Sequence, residues 1–311
     1  MNGFRLIGTG YALPGRVLSN EDMTRYVETS DEWITTRTGI RQRYFCEEGQ
    51  NTTTLAIEAA QKALASSGVD KGDIGCILVA TSTGEYAMPS TACLVHRALE
   101  LNAEIPAMDL GAACAGFLYA LDTARALLLA HGGKYALVIG AEQMSAALDM
   151  HDRNTCVLFG DAAGAAVFAL EDDAAYVSVL GTRGDLAITL GGPRRALPMS
   201  MAGQDVFRFA VSTIPLCVNA LLEKGGVSLE EVRWVVCHQA NQRILDASIR
   251  KLGVPAEKFY KNLDRYANTS AASIPLALAE MDEKGLLQSG DRMILVGFGG
   301  GLTWAGILMT I

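Results

Sequence analysis

The sequence predicts an α/β protein in which one structural unit occurs twice. Helical apolar patterns alternate with short β-branched runs, an order typical of sheets covered by helices. Residues 56–83 and 213–241 carry the same series of signals, namely a helical pattern, a glycine, a short acidic connection and a β-branched run. Gly68 in the first segment matches Gly226 in the second, 158 positions later, which is about half of the 311-residue chain.

The repeat continues beyond these two segments. The strand-like run "YALVIG" at 135–140 corresponds to "RMILVG" at 292–297. The segment that opens at Cys114 likewise falls over residues 269–281. A duplicated α/β unit is therefore the predicted architecture.

Two halves are predicted, residues 1–172 and 173–311. Alternation of helices with buried apolar strands predicts mixed, largely parallel sheets. In two packed copies of one unit, corresponding strand ends lie at a shared face, so the loops after those strands meet in a central cleft. We expect the functional residues in these loops.

The composition narrows the class of protein. Half of the residues are hydrophobic, which is enough for a large buried core. A net charge of −8 and a pI near 5.1 disfavour nucleic-acid binding, because phosphate contacts need a basic surface. The seven cysteines show no C-x-x-C spacing, so we expect neither a metal site nor a disulfide framework.

The N-terminal sequence carries no sign of export. "MNGFRLIGTGYALPG" has one arginine and no continuous apolar run. We also expect no segment that approaches the ~18 apolar residues of a membrane span. The predicted location is cytoplasmic, without membrane contact.

Cys114 is the candidate nucleophile. It lies in "DLGAACAGFLYA" (109–120), between a predicted strand at 107–110 and a helical apolar pattern. The small neighbours leave room for an acyl group, and the free N–H groups of a helix start favour the reactive thiolate. A buried structural cysteine is the alternative, which we adopt for the other six cysteines.

In the second half, one polar residue follows a predicted strand and another precedes a predicted helix. His238 directly follows the strand at 232–237, and it is the one histidine of four that stands at a strand end. It is therefore the candidate acid, base or hydrogen-bond donor. Asn268, in "YANTSAAS", precedes a predicted helix, where an N-cap is the alternative to a role in catalysis.

The glycine run "GFGGGLTW" (297–304) lies between two strand-like segments. No βαβ unit follows it, which disfavours a dinucleotide-binding loop. The run predicts a tight turn whose N–H groups can approach a substrate oxygen, as an oxyanion hole requires. An ordinary glycine-rich hairpin is the alternative.

The ordered motifs resemble those of the β-ketoacyl-acyl-carrier-protein synthase III family within the thiolase superfamily. The resemblance covers essentially the whole chain and implies a thiolase-like fold, with two βαβαβ-type halves in α-β-α-β-α layers, and a homodimer. The motifs that carry it are "DEWITTRTGIRQR" (31–43), "GAACAGF" (111–117), "FGDAAGAAV" (159–167), "HQAN" (238–241), "YANTSAAS" (266–273) and "FGGGLTW" (298–304).

The resemblance also implies a reaction. Cys114 would take an acyl group from acyl-CoA, and His238 and Asn268 would then bind the thioester carbonyl of malonyl-acyl-carrier protein. Decarboxylation would leave an enolate whose carbon attacks the acyl-Cys, initiating fatty-acid synthesis. The N–H groups of Cys114 and Gly300 would hold the oxyanion, and no cofactor is implied because acyl-CoA is a substrate.

Several contacts with acyl-CoA follow from the same matching. Trp33 and Arg153 would sandwich the adenine, Arg37 would lie near the phosphates, and Phe207 would also contact the substrate. Met88, in "YAMPSTA", stands where the family carries an aromatic residue that closes the acyl pocket of the partner subunit. The segment 181–203, at the mouth of the pocket, looks short for the family.

The acidic carrier protein needs a local basic patch on this acidic chain. Residues 243–265 hold six basic and three acidic side chains, a net charge of +3. Arg243, one turn beyond His238, is the first candidate for carrier contact, and Arg208 is the second. A solvated helix face is the alternative.

Other functions remain open at this point. A related acyltransferase of secondary metabolism would use the same triad on another acceptor. A thiolase would need a second active-site cysteine near the glycine run, and Cys217 and Cys237 do not lie there. A non-catalytic assembly subunit of the same fold would have no reason to keep the cysteine, histidine and asparagine together.

Overall fold

The computed structural model describes residues 3–102, 104–191 and 197–311. The strands are β1 (Gly3–Ala12), β2 (Arg16–Ser19), β3 (Gln42–Phe45), β4 (Ile74–Ala80), β5 (Ala107–Leu110), β6 (Tyr135–Glu142), β7 (Ala162–Glu171), β8 (Tyr176–Thr182), β9 (Ile188–Thr189), β10 (Ser200–Met201), β11 (Val232–Cys237), β12 (Arg292–Gly299) and β13 (Thr303–Thr310). The α-helices are α1 (Asn20–Met23), α2 (Asp31–Thr38), α3 (Thr52–Ser67), α4 (Thr91–Leu99), α5 (Gly116–His131), α6 (Arg153–Cys156), α7 (Gly203–Gly225), α8 (Gln242–Leu252), α9 (Leu263–Tyr266) and α10 (Ser273–Glu283). Part of the segment 181–203, residues 192–196, lies outside the described residues.

Two main sheets show the duplication directly. The first has the order β1-β7-β6-β4-β5 and the second has the order β8-β13-β12-β11. The strands β4, β6, β7 and β1 thus occupy the positions of β11, β12, β13 and β8. A parallel bridge between Val235 and Phe259 stands where the first sheet has β5. The chain passes from the first sheet to the second between Glu171 and Tyr176.

The pairing within the sheets corrects one expectation. Among the described strand pairs of the two main sheets, β4–β5, β4–β6 and β11–β12 are parallel, whereas β1–β7, β6–β7, β12–β13 and β8–β13 are antiparallel. The prediction of largely parallel sheets was therefore wrong for these two sheets. In each half, the last two strands are antiparallel and follow one another without a crossover helix. In the second half, β12 leads directly into β13 through the glycine run.

The helices complete five layers. Helices α3 and α4 cover the outer face of the first sheet, α5 and α10 lie between the two sheets, and α7 and α8 cover the outer face of the second. The strands bury both faces, so alternate residues enter different cores. In β4, Leu78 packs in the central core, whereas Ile77 and Val79 pack against α3 and α4.

Local sequence signals mark where helices begin and end, at positions that the repeat predicts. The side chain of Asn51 accepts a hydrogen bond from Thr54 N at the start of α3. Gly68 ends α3 with φ +66° and its repeat partner Gly226 ends α7 with φ +62°. These left-handed conformations favour glycine, which explains why both copies have it.

Within the described residues, two helical segments are long and apolar enough to cross a membrane, contrary to the expectation that no segment approaches that length. They are Ala113–His131 and Gly203–Gly225. The first includes α5, which lies between the two sheets, and the second is α7, which covers one of them. Packing of this kind accounts for their apolar residues, and core helices commonly pass the same test.

Candidate active site

A cavity of about 640 Å³ opens where the loops after the central strands of both sheets meet. Cys114 comes from the first half, and His238 and Asn268 come from the second. The structure therefore brings the three candidate catalytic residues to one cavity. Other residues that line it include Trp33, Arg37, Arg153, Phe207, Arg243, Phe298 and Gly299.

Cys114 lies in a sharp connection between β5 and α5. Ala113 has φ +48°, which is uncommon for a residue with a side chain, and one turn of 3₁₀-helix at Ala113–Ala115 leads into α5. The Cys114 Sγ donates a hydrogen bond to Ser270 Oγ at 3.4 Å. This connection places the thiol on the wall of the cavity.

The resting charge of Cys114 differs from the sequence expectation. Burial, together with the neighbouring Glu142 carboxylate, raises the pKa of the thiol to about 12. This shift favours the neutral thiol in the resting protein, against the expected preference for a thiolate. The proton must leave Sγ when the thiol attacks.

The glycine run brings a second backbone segment against Cys114. A Cβ added at Gly299 would stand 2.7 Å from Cys114 N and 2.9 Å from its Cβ, so no larger residue fits there. Gly300 begins the predicted turn between β12 and β13. Sequence reasoning named Gly300 and missed Gly299. The role of the Cys114 and Gly300 N–H groups as an oxyanion hole stays a prediction.

His238 follows β11 as expected and is almost completely buried. Its Nδ1 lies 2.7 Å from Ser273 Oγ, and the edge of the ring packs against Phe298 with centroids 5.2 Å apart. Burial lowers the pKa of the imidazole to about 3. His238 is therefore neutral at physiological pH.

Asn268 is not the N-cap of α10, which begins at Ser273. Its Oδ1 accepts a hydrogen bond from Ser270 N at 2.9 Å, and its backbone N–H donates to Leu158 O at 3.0 Å. These bonds fix the orientation of the side chain. Since Oδ1 already accepts this hydrogen bond, Nδ2 is the part of the amide that can donate to a substrate.

Sequence reasoning missed Ser270, although it lies in a quoted motif. It occupies the repeat position of Ala113 and has nearly the same backbone, with φ +50° against +48°. Its hydroxyl accepts from Cys114 Sγ and donates to Glu142 Oε1 at 3.1 Å. The repeat thus places two similar turns on opposite sides of the thiol.

Glu142 was also missed. It is the last residue of β6, is fully buried, and accepts hydrogen bonds from Thr83 Oγ1 at 2.6 Å and Ser82 N at 3.1 Å. Burial raises the pKa of its carboxyl group to about 7. A polar residue at the end of a buried strand was the signal that found His238, and the same signal finds Glu142.

Trp33 stands at the mouth of the cavity with two arginines. The Cζ atoms of Arg37 and Arg153 lie 4.5 and 4.7 Å from the centroid of its ring. A ring stacked on both sides needs a gap of about 7 Å, twice a van der Waals contact. An adenine can therefore enter between Trp33 and Arg153 only when Arg153 moves. The predicted sandwich stays a prediction.

The residues assigned to carrier contact lie on α7 and α8. Arg243 Cζ is 6.0 Å from the centroid of Phe207, and both line the cavity. Arg208 pairs with Asp205 at 2.5 Å and lines an adjoining depression with Phe207 and Arg243. These two arginines thus share one rim.

The wider basic patch is smaller than its composition suggests. Lys258 donates to backbone carbonyls, Lys261 pairs with Asp246, and Arg265 pairs with Glu280. These three cations serve the fold. The cations that can still contact a partner protein are the exposed ones on α8, namely Arg243, Arg250 and Lys251.

Met88 does not line the cavity of its own chain, and 84% of its side chain is exposed. Tyr86 nearby is 54% exposed. Its predicted position in the acyl pocket of a partner subunit stays a prediction.

The sequence matches known proteins along most of its length. The family described as 3-oxoacyl-[acyl-carrier-protein (ACP)] synthase III matches residues 108–184, and its C-terminal counterpart matches residues 222–311. Over 308 residues the chain is 45% identical to the beta-ketoacyl-[acyl-carrier-protein] synthase III of Rhizorhabdus wittichii, with 96% of each chain covered. The chain belongs to the 3-oxoacyl-[acyl-carrier-protein] synthase III family.

Solved structures of similar proteins agree with this membership. The family member from Aquifex aeolicus is 42% identical, with a TM-score of 0.94, and covers 99% of this chain and 100% of its own. The priming β-ketosynthase from the R1128 polyketide biosynthetic pathway is 32% identical, with a TM-score of 0.91, and covers 99% of this chain and 96% of its own. The predicted family and the thiolase-like layered fold are confirmed, and this family member is an acyltransferase.

Proposed function

We propose that this protein condenses an acyl-CoA primer, with acetyl-CoA expected, with malonyl-acyl-carrier protein. The products are 3-oxoacyl-acyl-carrier protein, coenzyme A and carbon dioxide, and the reaction initiates fatty-acid synthesis. The observation that carries this proposal is the meeting of Cys114, His238 and Asn268 in one cavity. The names of the relatives support the same reaction.

The first half-reaction transfers the acyl group to the enzyme. The Cys114 Sγ attacks the thioester carbonyl carbon, and the bond between that carbon and the sulfur of coenzyme A breaks. The N–H groups of Cys114 and Gly300 are proposed to stabilise the tetrahedral oxyanion. The thiol proton leaves with coenzyme A, so an acyl-Cys114 thioester remains.

The second half-reaction needs hydrogen-bond donors rather than a strong base. Loss of carbon dioxide from the malonyl group places negative charge on its thioester oxygen. Neutral His238 and the Nδ2 of Asn268 are proposed to donate to that oxygen. For His238 this requires Ser273 Oγ to donate to Nδ1, which leaves the ring proton on Nε2. The enolate carbon then attacks the carbonyl carbon of acyl-Cys114, the bond between that carbon and Sγ breaks, and Sγ takes up a proton to restore the thiol.

The binding assignments belong to the same proposal. Trp33, Arg37 and Arg153 hold the nucleotide side of acyl-CoA, and Phe207 also contacts the substrate, supported by their positions on the cavity wall. Arg243 and Arg208 receive the acidic carrier protein. We also propose a homodimer in which Met88 reaches the acyl pocket of the partner subunit, a division into residues 1–172 and 173–311, and a cytoplasmic location.

A polyketide-type primer reaction is the second candidate. The 32% identity to a priming β-ketosynthase of a polyketide pathway favours it, because the same triad would act on another acceptor. A parallel assay with malonyl groups on a fatty-acid carrier and on a polyketide carrier separates the two. We expect the fatty-acid carrier to give the faster condensation.

One experiment tests the proposed function. The protein is mixed with acetyl-CoA alone, and Cys114 is examined by mass spectrometry of its peptide. We expect an acetyl group on Cys114 and, after addition of malonyl-acyl-carrier protein, release of carbon dioxide and formation of 3-oxoacyl product. Unmodified Cys114 with acetyl-CoA and with longer acyl-CoA would contradict the proposal.

A further inference from the structure

We propose that Ser270 and Glu142 form a proton relay for the Cys114 thiol. The relay deepens the proposed acyl transfer and rests on it. Ser270 contacts the reacting sulfur, with Sγ donating to its Oγ at 3.4 Å, and Ser270 Oγ donates to Glu142 Oε1 at 3.1 Å. A continuous hydrogen-bonded path thus leads from the nucleophile to a buried carboxyl group.

Further hydrogen bonds hold Ser270 and Glu142 in place along this path. Ser270 N is bound by Asn268 Oδ1, so the backbone that carries the hydroxyl is fixed beside the thiol. Thr83 Oγ1 donates to Glu142 Oε2 and Ser82 N donates to both carboxylate oxygens, so the carboxyl group is held with Oε1 towards Ser270. Ser270 is thereby a catalytic residue, and Glu142 is a positioning residue that acts through it.

The charges around Glu142 suit a proton acceptor. Among the described residues, the groups that contact its carboxyl from neighbouring elements are neutral, namely the hydroxyls of Thr81, Thr83 and Ser270 and the Ser82 N–H. The titratable group that it faces is Cys114. Its pKa of about 7 places both of its protonation states within reach at physiological pH.

The relay explains how a neutral thiol reacts. As Sγ forms its bond to the thioester carbon, its proton passes to Ser270 Oγ, and the Ser270 hydroxyl proton passes to Glu142. When the bond to the sulfur of coenzyme A breaks, that sulfur keeps the electron pair and takes a proton back through Ser270. Glu142 ends in its starting form, so no other acid or base is consumed.

Two variants test the relay, with alkylation of Cys114 by iodoacetamide as a readout that needs no substrate. A charge effect alone predicts that Glu142→Gln makes the thiol more reactive, because a nearby negative charge is lost. The relay predicts the opposite, a loss of roughly 10²-fold in alkylation and in acetylation by acetyl-CoA at pH 8. The wild-type alkylation rate should also rise through pH 7, and that rise should vanish in Glu142→Gln.

Ser270→Ala is the second variant, and it should show the same loss. Alanine tolerates this backbone, since Ala113 adopts it at the matching position. If Glu142→Gln fails to fold, Ser270→Ala decides alone. The matched control is Ser145→Ala, which breaks a partly buried hydrogen bond between a hydroxyl and a carboxylate, to Asp161 at 2.6 Å, and should leave the alkylation profile unchanged.

The outcomes separate the relay from the proposed function. Wild-type or faster alkylation in both relay variants would overturn the relay even if acetyl transfer persists. Wild-type protein that alkylates with the rise at pH 7 but accepts no acyl-CoA would support the relay and contradict the proposed function. Decarboxylation of malonyl-acyl-carrier protein should survive in both variants, because His238 and Asn268 are unchanged.

Discussion

Cys114, His238 and Glu142 are titratable residues in one site. Burial shifts the pKa of each in the direction that favours its neutral form. The pKa is about 12 for the Cys114 thiol, about 3 for the His238 imidazole and about 7 for the Glu142 carboxyl group. Low hydration strengthens hydrogen bonds to charge that develops during a reaction. Neutral donors and a neutral nucleophile are therefore what this site offers an incoming thioester.

At Cys114, replacement by serine should abolish acyl transfer and leave the fold intact. The hydroxyl is a much weaker nucleophile than sulfur, so we expect a loss of roughly a thousandfold or more. Acetylation of the protein by acetyl-CoA is measured by mass spectrometry, and circular dichroism reports the fold. Condensation at the wild-type rate in Cys114→Ser would rule out Cys114 as the nucleophile.

His238→Ala and Asn268→Ala should affect the second half-reaction most. Each removes one proposed donor to the enolate oxygen, and loss of one such donor costs about 10² to 10³ in rate. Release of carbon dioxide from malonyl-acyl-carrier protein should fall by that factor, while acetylation of Cys114 falls far less. Variants that decarboxylate normally but acylate poorly would show that the roles are reversed.

Sequence reasoning found Cys114, at one end of the relay, but it missed Ser270 and Glu142. Cys114, His238 and Asn268 stand beside predicted strands or helices, where patterns are readable. Glu142 carries the signal of a polar residue at a strand end, but its contact with Ser270 joins the two halves, and no local pattern displays such a contact. The neutral state of the thiol was also out of reach, since it depends on how deeply the folded chain buries Sγ.

At the scale of elements, the repeat predicted β4, β6, β11 and β12, and the turn predicted by the glycine run is present. The strand at 232–237 coincides with β11, and helical positions such as Phe117 and Leu121 are buried in α5. Strand direction was missed, because β7 and β13 return without a crossover helix. Apolar runs look alike in parallel and antiparallel strands that bury both faces.

Helix α8 carries the prediction on carrier binding. Arg243→Glu should raise the KM for malonyl-acyl-carrier protein roughly tenfold and flatten its dependence on salt, because an attraction becomes a repulsion. The KM for acyl-CoA should stay unchanged. Steady-state kinetics at several salt concentrations measure both values.

Lys251→Glu is the matched control for this prediction. It makes the same change of charge near the far end of α8, where Lys251 is exposed. A smaller effect there would place the docking surface at the cavity rim. An equal effect of Arg243→Glu on both substrates would count against carrier contact at Arg243.

For the whole molecule, the proposed dimer leads to a prediction on primer choice. A methionine side chain has three rotatable bonds and can yield where a rigid aromatic ring cannot. If Met88 forms a wall of the partner's acyl pocket, the protein should use acetyl-CoA and also longer or branched primers. Each further buried methylene is worth roughly 0.8 kcal/mol, so a small change of space alters preference several-fold.

Met88→Phe should then narrow the primer range toward acetyl-CoA. Competition among acyl-CoA primers, read from the acyl groups found on Cys114, measures the range. Leu216→Phe is the control, since Leu216 on the outer helix α7 is also exposed, at 58%. An unchanged primer profile in Met88→Phe would show that Met88 does not line the pocket.

The stability of the whole molecule should depend on pH through two opposing groups. The pKa of His238 falls from 6.5 to about 3 on folding, so between these values the unfolded state binds more protons and stability rises with pH. The pKa of Glu142 rises from 4.5 to about 7, so between those values the folded state binds more protons and stability falls with pH. Each slope is about 1.4 kcal/mol per pH unit for one proton.

Between about pH 4.5 and 6.5 the two slopes cancel, and single variants should reveal each of them. Relative to wild type, His238→Asn should gain stability as pH falls through this range, because the folded state no longer keeps an imidazole neutral. Glu142→Gln should gain stability as pH rises, because no buried carboxyl has to ionise. Urea unfolding at each pH measures the free energy of unfolding. The double variant should follow the wild-type pH dependence, and a double variant that keeps either slope would show that the two groups do not balance.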